Sequence, residues 1–250
     1  MSDSNLSLTN KIWFSPVNVI YHFMKLESEG KIAHGKKHYR KCCEAFIVAI
    51  SLVGVIKMLK REFWMQVVDD KEQSPDTRTG CYNKKTRDND FAIQDVEVVT
   101  YESNSPESLF DFLLRTKLSN KKAYDERTTI LCHINRVTQM PSVQELNQQL
   151  LAKNLNIKSP VIIVGKVDSE KEIYHMAQIY PTVDLETTFD IMIECKARKY
   201  NGVLKLNRSA KGTIELIYNP EEKHYPFEIL GFFNTPPPLS PPCYSSSPCT

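Results

Sequence analysis

The chain has 250 residues, 41% of them hydrophobic and 25% charged, with a formal net charge of +2 at pH 7. That length builds a real core, as one large domain or one domain with an appendage; the balance excludes a charge-rich disordered chain and a globally basic nucleic-acid coat. Seven cysteines in an irregular pattern without a CxxC pair support neither a disulfide framework nor a zinc site, and a polar N-terminus without a basic-then-apolar signal leads to the expectation of a cytoplasmic protein.

In chain order, residues 13–28 carry Val17, Ile20, Tyr21 and Met24 at helical spacing and predict a first helix. A basic stretch follows, with Lys31, Lys36, Lys37, Arg40 and Lys41. It reads as the solvated start of the next helix, with phosphate contact as the other use of such charge. Residues 38–60 predict a long helix that is polar at its start and apolar nearly all round in its middle, the pattern of a helix laid against a sheet. Its apolar run, 45–56, falls short of the roughly 20 residues of a membrane span, so no membrane partner is expected. Glu44 stands where the polar part meets the apolar one.

Residues 63–68 and the segment at Asp76 predict a hairpin around Asp69, Asp70 and Lys71. Residues 94–101, with Val96, Val98 and Val99, predict the clearest strand. Its apolar density places it centrally, flanked by the strand near Trp64 and by a strand at 129–134. Ser105, Pro106 and Glu107 read as a helix start, with Leu109, Phe110, Leu113 and Leu114 as its core stripe. Residues 128–134 form a buried strand in which His133 is a core histidine, and Ser142 with Glu145 has the spacing of a capping box. Strands at 161–167 and 173–180 flank a turn at 168–171. Residues 185–200 fit either helix or strand, and 202–206 with 213–218 fit a closing hairpin. The Pro- and Ser-rich residues 235–250 predict a disordered tail. The expected organisation is an N-terminal helix and linker over 1–35, then a single α/β domain with a mixed sheet over 36–234.

Asp76 and Glu97 close the ends of neighbouring strands, and antiparallel pairing brings both carboxylates to one end of a sheet. An oxygen-only pair of this kind suits Mg²⁺. A helix bearing Glu44, a strand pair with Pro75-Asp76, a third strand with Glu97, a helix and a fourth strand resemble the core of the PD-(D/E)XK nucleases, over residues 36–135. The resemblance implies a restriction-endonuclease-like mixed sheet with flanking helices, extended C-terminally by further α/β structure. It also implies that Asp76 and Glu97 hold Mg²⁺, that Glu44 joins them as a third catalytic acid, and that the reaction is phosphodiester hydrolysis of DNA. In that family a lysine two positions after the second acid activates water; here that position is Val99. Lys117, Lys121 and Lys122, after the following helix, are the amines that would have to reach back. Val99 equally suits a rival expectation, a non-catalytic interaction protein that keeps the fold. A second constellation is Asp184 with Glu194 and Lys196. On a strand Glu194 and Lys196 would share one face; on a helix Asp190 and Glu194 would be an i,i+4 pair.

Overall fold

A helix that is apolar nearly all round has to be covered on every side, and the protein is layered around one. The structure is a computed structural model describing residues 12–35, 38–68, 75–82, 91–118, 124, 126–136, 140–155, 157–198, 203–208, 214–219 and 226–227. The element order is β1 (Ile12–Phe14), α1 (Pro16–Ser28), α2 (Tyr39–Leu59), β2 (Phe63–Val67), β3 (Thr77–Tyr82), β4 (Phe91–Glu102) and α3 (Leu109–Leu113), which runs on as a π-helical turn (Leu114–Leu118). There follow β5 (Thr128–Asn135), α4 (Val143–Ala152), β6 (Val161–Lys166), β7 (Ile173–Tyr180), β8 (Asp184–Asp190), α5 (Ile191–Lys196), β9 (Val203–Arg208) and β10 (Ile214–Asn219).

Among the described residues the strands form one sheet in the order β10-β9-β1-β2-β3-β4-β5-β6-β7-β8. β4, β5 and β6 run parallel and every other neighbouring pair is antiparallel. This is the mixed α/β architecture that the sequence predicts. Alternation along β5 separates the two faces: Leu131 joins the core beneath α1 and α2, while Ile130 and Cys132 join the core beneath α3 and α4.

Helix α2 is the central element of the first face. It is long and apolar enough to cross a membrane by composition, yet 67% of its most apolar window is buried inside the protein. Phe46 stacks on Phe23 of α1 at 4.1 Å. On the other side Gly54 lets the helix descend onto β7 and β8: a Cβ there would stand 2.8 Å from a Phe189 ring carbon and 3.0 Å from Met176 Cε.

Several sequence expectations need correction. Residues 12–14 are a strand, β1, seated between β9 and β2, and helix α1 begins only at Pro16, capped by the Ser15 hydroxyl. Trp13 is fully buried with Trp64 and Leu204, against Phe91, in a separate cluster, so tertiary packing overrides its place in the helical pattern. The strand near Trp64 does not flank β4. β3 lies between them, because β2 pairs with β3 and β3 with β4 in a continuous antiparallel meander. The helix after β4 is capped by Ser108, whose hydroxyl accepts from Asp111 N, rather than by Ser105. Within that ambiguous stretch, residues up to Asp190 belong to β8 and Ile191–Lys196 form the short helix α5, with Asp190 as its N-cap. Ser142 caps α4 as predicted, and β9 with β10 is the closing hairpin. The turn at 69–71, Lys36, Lys37, Lys121, Lys122 and the 235–250 tail lie outside the described residues.

Two measurements test this packing. Gly54→Val forces methyl groups into Phe189 and Met176, and we expect a loss of about 1–3 kcal/mol in urea denaturation. Burial, aided by the Lys25 charge, lowers His22 to about 4, and burial likewise lowers His133 to about 4. The unfolded chain therefore binds protons first, so stability present above pH 6.5 should drain away as the pH falls from 6.5 towards 4. Replacing His22 with Gln should flatten that slope in a pH series of denaturation curves.

Candidate active site

Strand β3 stops where β4 continues, and Asp76 uses the gap. The register Thr77↔Val96 puts Asp76 opposite Glu97. Its backbone N donates to Val96 O at 3.1 Å, and its Oδ2 accepts from Val98 N at 2.8 Å. Asp76 thus grips β4 on both sides of Glu97.

Glu97 is buried, at 4% exposure. It points to the face opposite Val96 and Val98, which lie in the α2 core. Its partner is Lys117, whose Nζ donates to Glu97 Oε2 at 2.6 Å. Lys117 comes from the π-helical turn after α3, next to the fully buried Leu118. Such turns recur at functional positions because they redirect a side chain. The ammonium also lies 5.8 Å from the Tyr124 ring centre. Burial works to lower the Lys117 pKa, but the Glu97 hydrogen bond and charge, joined by Tyr124 and Asp76, outweigh it and hold the amine protonated.

From the other face, the first turns of α2 bring Arg40, Lys41 and Glu44. Glu44 is buried, at 7% exposure. Arg40 Nε meets its Oε1 at 2.6 Å, and Lys41 Nζ lies 3.6 Å from its Oε2 and 3.2 Å from Asp76 Oδ1. Among the described residues Glu44 Oε2 has no hydrogen-bond partner. Burial and then the Asp76 charge push the Glu44 pKa up, with Arg40 and Lys41 opposing. Asp76 therefore sits between the two halves, felt by Glu44 on one side and by Lys117 on the other.

Glu44 and Asp76 share Lys41, and Asp76 stands opposite Glu97, which lies in the middle of β4 rather than at a strand end, with Glu44 on the α2 face and Glu97 on the α3 face. Among the described residues no group of three His, Cys, Asp or Glu side chains stands ready-made as a metal cage; the acids face lysines instead. Lys117 is one of the amines that the sequence nominates, whereas Lys41 and Arg40 belong to the stretch that reads as a solvated helix start or a phosphate contact. Their i,i+3 and i,i+4 spacing to Glu44 was the signal that tied them to it.

The second constellation does not assemble. Glu194 sits on α5, paired with Lys57 at 3.2 Å and Arg198 at 3.1 Å. Lys57 is 13 residues beyond Glu44 along α2, roughly 20 Å away at 1.5 Å per residue. Lys196 and Asp184 are exposed. His175 meets Thr188 and Glu186 on the neighbouring strand, and Cys42 packs into the core. No protein-family model matches the chain, and no curated protein matches it.

A double-mutant cycle tests the central pair. Lys117→Met leaves Glu97 buried beside a lost counter-charge and should cost about 3 kcal/mol. Adding Glu97→Gln to the same chain should recover much of that loss, which equilibrium denaturation of the four chains would read directly.

Proposed function

We propose that the protein is a divalent-cation-dependent phosphodiesterase of the restriction-endonuclease-like kind, with DNA as its substrate class. The observation that carries this reading is the Lys117–Glu97 contact at 2.6 Å. It supplies beside the second acid the amine that Val99 withholds from the sequence motif. The element order α2-β2-β3-β4-α3-β5, with β4 parallel to β5, supports the same reading, since it matches the order in the resemblance.

The donor set fits Mg²⁺. Asp76 and Glu97 would hold it, beside Glu44, whose Oε2 accepts no hydrogen bond among the described residues, and all three offer the hard oxygens that this ion takes. When bound, the ion polarises a phosphate oxygen and makes its water a stronger nucleophile. The protein's own work is positional. Asp76 is fixed by β4, so its carboxylate needs no reorganisation to act. Lys117, steadied by Glu97, presents ammonium N–H donors to an oxygen entering beside that acid. Val99 packs into the α3–α4 core, where a lysine would have to bury its own charge; the π-helical turn delivers the amine from above instead.

One observation favours the rival reading, a non-catalytic interaction protein. Arg40, Lys41 and Lys117 already face Glu44, Asp76 and Glu97, so the cluster is charge-balanced without any ion. Incubation of the purified chain with plasmid and linear DNA, with and without Mg²⁺ or Mn²⁺, separates the two. We expect metal-dependent cleavage, lowered at least about a hundredfold in Asp76→Ala and Lys117→Met. Mg²⁺ should also raise the melting temperature by linkage. Asp76→Ala should lose that rise and Lys117→Met should keep it. Neither cleavage nor a melting shift in the unaltered chain would transfer the function to the interaction reading.

A further inference from the structure

The cations around the acids differ in how far they are closed in. Lys41 and Lys117 are held among protein groups, with side chains 15% and 13% exposed. Arg40 is open, at 84%, although its Nε is fastened to the buried Glu44 Oε1 at 2.6 Å. Glu44 thus grips one edge of a planar fork and leaves the side chain that carries it in solvent. A guanidinium held on one edge still presents N–H donors on another, in the geometry that suits a phosphate. Helix stability does not account for the arrangement. Arg40 and Lys41 open α2, whose first turn has no acidic residue and whose N-cap, His38, makes no side-chain cap bond. Cations at that end oppose the helix dipole, and Arg followed by Glu four residues on is the weaker order of such a pair. An ion pair to so exposed an arginine adds little. An anion arriving there would be favoured by the dipole and by the fork together.

We propose that Arg40 takes a backbone phosphate of duplex DNA at the rim of the site, and that Glu44 is the positioning residue that holds its guanidinium ready. The ligand rests on the DNA-cleaving reading above. Lys41, which Glu44 shares with Asp76, ties the contact to the acid cluster, so a strand gripped by Arg40 lies next to Asp76. The role asks no metal contact of Glu44, whose charge is spent on Arg40 and Lys41.

Fluorescence anisotropy with a labelled DNA duplex, in EDTA and again in Ca²⁺, tests this over a series of salt concentrations on the full chain. Arg40→Ala should bind several-fold more weakly and lower the slope of log affinity against log salt by about 1, the mark of one lost phosphate contact. Glu44→Gln gives the deciding sign. By charge alone, removing an acid beside a polyanion should tighten binding; the positioning role requires binding to weaken towards that of Arg40→Ala. The double variant should be no weaker than Arg40→Ala, because both changes act through one contact. In the unaltered chain, duplex should slow the modification of Arg40 by phenylglyoxal several-fold, read by peptide mass; this arm needs no variant to fold. Tighter or unchanged binding in folded Glu44→Gln, or Arg40 modification indifferent to duplex, overturns the proposal. A chain that binds duplex equally well with and without Arg40 keeps the DNA-cleaving reading and loses the contact. An unaltered chain that binds no duplex in either condition loses both.

Discussion

Carboxylates withdrawn from water must be compensated, and three of them lie around the start of β3 and the middle of β4. Glu44 and Glu97 are buried, and Asp76 is pinned between them by its two hydrogen bonds to β4. The lysines and the arginine around them follow from that constraint. Lys117 must come from α3, because Glu97 faces that side, and Lys41 must come from α2, because Glu44 does. Each pair is worth little as net stability, yet breaking one withdraws a counter-charge from a poorly solvated place.

Helix α2 ties this cluster to the rest of the protein. Its first turns carry the charged residues, and its body is core, from Ala45 through Val53. The close approach at Gly54 and the stacking of Phe46 on Phe23 fix where the helix lies. The position of Glu44 is therefore set by apolar packing many residues away. A site supported in this way is preorganised by its scaffold. The far end of the same helix performs a different task, with Lys57 holding Glu194 and accepting the cover of α5.

Much of this was legible in the residues, for identifiable reasons. The apolar all-round pattern of 38–60 and the valine-rich 94–101 both have one structural solution, and each formed within a few residues of its expected bounds. Glu44, Asp76 and Glu97 were nominated by their places on those elements. The N-terminal segment misled because Trp13 continues a helical stripe in the sequence while its ring fills a gap beside Trp64 and Leu204. Residues 185–200 carried both periods because they contain both elements, and only the Asp190 cap decides where one gives way to the other.

The sequence by itself determined the mixed α/β class and the long buried helix, because periodicity and local capping encode those directly. Tertiary structure alone decided which amines meet Glu97 and Asp76. Lys117 lies 20 positions from Glu97 and Lys41 lies 35 from Asp76, separations at which no local pattern applies. A π-helical turn and the crossing of α2 over the sheet close those distances, and both are consequences of how the two apolar cores pack.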